Sequence, residues 1–256
     1  MKKTLSKLFI VLISLAMIFA LVGCGKKNED ASSNENSGGS ASGKNNSVMS
    51  HAEYAATEKD KEVTVETYVQ AKQILLDDKT TLYTQDQDGG YFIYNINCSA
   101  EDYEKLIEGQ KIRVNGYKGE WSGEEEVVDG ILEIIEGNWI AESEDVTSIL
   151  GSDKLIEHKN EKVSFFGMTV EPKKDEDGNE VAFFYNWDGS GTRGDDLYFD
   201  VSKDGNTYTF TVESYLCGEE SDVYKAVEKL KVGDIIDMEG FLYWYEGVNP
   251  HITSIK

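Results

Sequence analysis

The chain has 256 residues, with 25 Lys plus Arg against 48 Asp plus Glu and a formal net charge of −23. A surface of that sign repels phosphate backbones, so no nucleic-acid partner is expected. Two prolines, 24 glycines, four tryptophans, 14 tyrosines and ten phenylalanines describe a folded, turn-rich β protein rather than a disordered one.

Lys2, Lys3 and Lys7 open the chain, an apolar run follows from Leu8 to Leu21, and small residues lead into Cys24. That is the layout of a secretory signal, and the run is short for a membrane span of about 20 residues. Leu21-Val22-Gly23-Cys24 resembles the bacterial lipobox, whose cysteine is acylated before cleavage makes it the new N-terminus. A thiol suits that role because its thiolate is a good nucleophile. The resemblance implies a signal peptide over residues 1–23 and a mature chain starting at the acylated Cys24. It also implies a bacterial lipoprotein anchored on the extracytoplasmic face of the cell membrane. Without the three lysines the balance is 22 basic to 48 acidic residues. Residues 24–60 are rich in Ser, Asn and Gly without periodic apolar positions, the composition of a flexible spacer. His51-Ala-Glu-Tyr-Ala-Ala is a candidate helical turn near its end.

Residues 61–137 read as one domain. Alternation and β-branched residues predict strands over 62–70, 80–85 and 91–97, the last two joined by a turn containing Asp88-Gly89. Ser99 is a helix cap, Glu101 and Asp102 favour the first turn, and Gly109 stops the helix. Further strands are expected over 110–117 and 127–135. Residues 138–161 form a connector with a helical turn at 146–151. In residues 162–256 the same order returns, with strands over 163–170, 197–202, 207–217, 234–245 and 251–255 and a helix over 219–230. An insertion over 171–196 carries Val181-Ala-Phe-Phe-Tyr, expected to add a strand.

The repeat is explicit. Leu106, Gly109, Gly116 and Gly123 have counterparts 124 residues later at Leu230, Gly233, Gly240 and Gly247. Three strands, a helix and two strands in roughly 75 residues match the OB-fold, a five-stranded barrel. The run from Leu106 to Gly116 resembles the strand-four entry of secreted OB domains of the anticodon-binding type. The expected fold is therefore mainly β, with two tandem OB-like barrels; a single β sandwich is the rival that the constant spacing disfavours.

Chemistry is harder to place. His51, His158 and His251 are far apart and lack the spacing of a zinc site, and neither a nucleophile elbow nor a phosphate loop is present. No metal, no cofactor and no catalytic residues are expected, and the chain is read as a non-enzyme. Cys98 and Cys217 hold matching places; they either form one bridge between the copies or fill the same small slot twice. Asp86, Asp88, Asp175, Asp177, Asp195 and Asp196 sit in turns where they either hold calcium or simply make the turn. Thr192-Arg193-Gly194-Asp195 contains a three-residue string resembling an integrin-recognition motif, short enough to arise by chance. Trp121 and Tyr243-Trp244-Tyr245 fall between strands four and five of the two copies, and Trp187 falls in the insertion. These rings either stack on a ligand at the usual OB face or cap the barrel ends. The function expected from these features is a membrane-anchored, non-catalytic module binding a glycan or a protein. The alternative is a structural or assembly protein of the cell envelope without a small ligand.

Overall fold

Ser50 starts the first helix: its hydroxyl accepts from the Glu53 N–H while the Glu53 carboxylate accepts from the Ser50 N–H. This reciprocal cap sets α1 (His51–Ala55), which places Tyr54 in the first core and His51 edge-on to Tyr91. The structure is a computed structural model that describes residues 47–256. Cys24 and the signal and spacer readings, apart from residues 47–60, lie outside the described residues.

Five strands follow, β1 (Glu62–Lys72), β2 (Lys79–Gln85), β3 (Gly90–Asn97), β4 (Gln110–Trp121) and β5 (Glu124–Asn138), with α2 (Ala100–Lys105) between the third and fourth. They close as β1-β2-β3-β5-β4, with β3 parallel to β5 and β4 returning antiparallel to β1. Val65, Leu82, Ile93, Ile112, Val114 and Val127 fill the interior and are shut off from solvent. Ser99 caps α2, which ends at a Leu106 C-cap rather than at Gly109; Gly109 takes a positive φ of 87° in the turn before β4, a conformation that costs a residue without a Cβ little.

The connector holds β6 (Glu144–Asp145) and two short 3-10 turns, Thr147–Ile149 and Asp153–His158. Then come β7 (Lys162–Glu171), β8 (Lys173–Lys174), β9 (Glu180–Val181), β10 (Phe184–Tyr185), β11 (Leu197–Lys203), β12 (Asn206–Val212), α3 (Asp222–Val227), β13 (Ile235–Phe241) and β14 (His251–Ile255). Here β7-β11-β12-β14-β13 closes in the same order, because β7 pairs with both β11 and β13, and β12 runs parallel to β14. The fold is two OB-type five-stranded barrels in tandem.

Three local expectations are corrected. The third strand of the second barrel stops at Val212 because Glu213 curls the chain, its carbonyl and carboxylate both accepting from Leu216 N–H. The insertion does not add one strand: Val181 pairs in β9 with β8, and Phe184 and Tyr185 pair in β10 with β11. The second helix is shorter than 219–230, since Ser221 rather than Glu219 caps it. The bridge is absent as well. Cys98 and Cys217 are free thiols, the first inside the core of the first barrel and the second packed on the core of the other.

The barrels meet face to face. Tyr83 and Phe92 of the first form a third apolar cluster with Phe241 of the second, and the Tyr83 hydroxyl bonds His251 Nδ1 at 2.6 Å. Gly90 is fixed by this contact: a Cβ there would run into the backbone of Asn160.

Candidate functional site

The two strand 4–5 connections are neighbours in space. In the first barrel Ser122 and Gly123 take φ of 50° and 93°, so β4 turns into β5 through a tight two-residue hairpin. In the second, residues 242–250 make a longer loop, and Glu246 N–H donates to Ser122 O at 2.7 Å across the joint. Glu124, the first residue of β5, is fully buried there. Its carboxylate accepts from Asn160 Nδ2 at 2.6 Å and from Trp244 N–H at 2.8 Å. Burial pushes Glu124 up to about 8 against these bonds.

Beside the joint lies a cavity of about 600 Å³ with walls from both barrels. Trp121 (60 % exposed) ends β4, Trp187 (70 % exposed) comes from the insertion, and Tyr243 and Tyr245 come from the loop before β14. Its floor is a row across three strands, Tyr198 on β11, Thr211 on β12 and His251 on β14. His251 is stacked on Tyr243 at 4.3 Å, and burial lowers it to about 3, so it is neutral. Asp196 and Glu213 also line the cavity. Asp196 Oδ1 accepts from the Ser214 N–H and hydroxyl, and Glu213 Oε2 accepts from Gln73 Nε2 at 3.0 Å. Burial, reinforced by Asp196, pushes Glu213 up to about 7.

The structure thus brings Trp121, Trp187, Tyr243 and Tyr245 to one cavity. Trp244 is placed elsewhere, against Gly123 with Lys159 Nζ 5.7 Å from its ring, as part of the barrel joint. The turn aspartates hold backbone: Asp86 Oδ1 accepts from Asp88 and Gly89 N–H, and Asp175 Oδ1 from Asn179 N–H. Arg193 of the Arg-Gly-Asp string is bound to Glu219 and Glu228. Sequence reasoning missed Glu213, Asp196 as a cleft residue, and His251. In a chain with 48 acidic residues no local pattern sets two of them apart.

No family model matches this chain, and no curated protein matches it. Among solved structures it is similar to a murine DNA-binding protein bound with double-stranded DNA, at 10 % identity and a TM-score of 0.37, covering 75 % of this chain and 97 % of that one. It is similar to the HINa domain of Ifi202 in complex with 20-base-pair double-stranded DNA, at 10 % identity and a TM-score of 0.34, covering 77 % and 96 %. It is also similar to a Replication Protein A heterotrimer bound to single-stranded DNA, at 10 % identity and a TM-score of 0.30, covering 78 % of this chain and 51 % of that chain. None of the three is described as an enzyme. Likeness at this level assigns no ligand to this chain. These neighbours are solved on DNA, against the expected glycan- or protein-binding module and the expected exclusion of nucleic acid. The charge argument reaches only contact with phosphate; a base presents an uncharged ring.

Proposed function

We propose that the chain is a non-catalytic binding module that takes an unpaired nucleobase, carried by a nucleoside or a single strand, in the cleft between its barrels. The observation that carries this reading is the convergence of Trp121, Trp187, Tyr243 and Tyr245 with the carboxylates of Asp196 and Glu213 on one cavity. Aromatic faces stack on any base, contributing about 1–3 kcal/mol each. Carboxylate oxygens accept from exocyclic amino groups, as acidic side chains do with cytosine. A base enters acidic walls that would repel its phosphate.

Calorimetric titration with cytidine is expected to show saturable binding, weakened about tenfold (~1.4 kcal/mol) by Trp121→Ala. The indole is largely exposed, so the melting temperature should not move. Equal affinity in the variant would refute the reading. Salt separates this site from a basic groove: affinity for a single strand is expected to hold or rise with salt as repulsion is screened.

The chain's location is a separate proposal, carried by residues 1–24 alone: attachment through acylated Cys24 to the outer face of a bacterial membrane. Palmitate labelling of expressing cells should mark the protein and be lost in Cys24→Ser; labelling that survives the substitution would sink it.

A further inference from the structure

Glu126 is 7 % exposed, and its carboxyl has no hydrogen bond or ion pair with any described residue. It sits on β5 between Phe92 of β3 and Gly119 of β4. Neither of its oxygens is among the fully buried unpaired side-chain atoms of the described residues, so the carboxyl opens onto solvent in a cavity. It does not face closed packing. It lines a second cavity of about 520 Å³, whose walls include Tyr94, Trp121 and Tyr243. Trp121 and Tyr243 also line the first cavity, so the two adjoin along shared rings. Lys59, on the same wall, donates to the Glu120 carbonyl rather than to Glu126.

We propose that Glu126 marks a second base subsite, its carboxyl pairing with the amino edge of a second ring, so that the ligand is a short single strand rather than a free nucleoside. This rests on the base-binding reading above. Burial holds Glu126 at about 7, with Lys59 opposing, so near neutral pH the carboxyl is present in both forms. The protonated form donates from its O–H to a ring nitrogen while its other oxygen accepts from the adjacent amino group. Cytosine and adenine carry that pair of groups; uracil's carbonyl and N3–H also satisfy the protonated carboxyl, so base choice rests on the carboxylates that accept from an amino group. Two adjoining aromatic cavities give each ring a stacking surface.

The test uses the full chain at pH 7 and three probes, cytidine, the dinucleotide CpC and the dinucleotide UpU; each dinucleotide carries a single phosphodiester charge. CpC is expected to bind at least tenfold more tightly than cytidine, and UpU less tightly than CpC because the carboxylates of the first cavity find no amino group on uracil. Glu126→Met fills the same space without a buried carboxyl, so it is expected to fold at least as stably. It should abolish the CpC gain and leave cytidine affinity unchanged. A CpC affinity equal to that of cytidine, or a gain that persists in Glu126→Met, overturns the second subsite while leaving the first intact. Binding of none of the three probes overturns the base-binding reading itself.

Discussion

Replacing Glu124 by leucine is expected to lower stability by about 3 kcal/mol at pH 5. The carboxylate receives Asn160 Nδ2 and Trp244 N–H at the barrel joint, with no exposed surface of its own. Leucine leaves the Trp244 N–H without its acceptor and Asn160 Nδ2 with only its longer bond to Glu125 O at 3.3 Å, at about 1–3 kcal/mol each. Lys159 anchors the same joint by donating to Gly123 O at 2.9 Å, so the loop carrying Tyr243 and Tyr245 would loosen rather than detach. The loss should shrink from pH 5 toward pH 8, because burial holds the wild-type carboxyl near 8 and folding must keep a proton that the unfolded chain has released above about 4.5, a cost leucine does not carry. Equal melting temperatures of the two proteins at pH 5 would show that Glu124 does not hold the barrels together.

The second large effect is a stability maximum near pH 5. Glu124 is held at about 8, and Glu126 and Glu213 at about 7, all by burial and all above the ordinary 4.5. A carboxyl held up in the folded state keeps a proton that the unfolded chain has released. Its contribution is therefore fully present below about pH 4.5 and is lost as pH rises through 7 to 8. Buried His251 acts in the opposite sense, since lowering from 6.5 to about 3 makes protonation favour the unfolded chain below pH 6.5. Three groups outweigh one between pH 5 and 8, where the net loss is on the order of 6 kcal/mol. Below pH 4.5 the histidine acts without that opposition. It is joined by carboxylates such as Glu66, which its hydrogen bonds to Lys111 and Arg113 hold below the usual range. Chemical denaturation from pH 4 to 8 measures this directly; stability rising steadily from pH 5 to 8 would contradict the burial of these carboxyls.

The barrels were legible in the sequence because the repeated glycines have repeated physical jobs. Gly109 and Gly233 both take positive φ after their helices, at 87° and 88°. Gly116 and Gly240 both sit where a Cβ would strike the neighbouring strand, at Val128 O and His251 O. Such constraints leave a residue no alternative, so they survive as spacing. The rings Trp121, Trp187, Tyr243 and Tyr245 were legible as loop aromatics, but their meeting at one cavity was not, because it depends on how Tyr83, Phe92 and Phe241 seat one barrel on the other. Trp244 shows the limit of reading by runs: it shares a string with two cleft tyrosines and packs on the joint instead. Glu124, Glu126 and Glu213 were illegible for a different reason. Burial alone distinguishes them from the other acidic residues, and burial belongs to the packed pair of barrels.

The most direct measurement follows the four indole N–H signals by NMR as cytidine is added to the full chain. Trp121 and Trp187 line the cavity, whereas Trp139 packs on Tyr68 and Trp244 on the barrel joint. The account expects saturable shifts of the Trp121 and Trp187 signals with Trp139 and Trp244 unmoved. Shifts confined to Trp139 or Trp244, or none at millimolar cytidine, would contradict it.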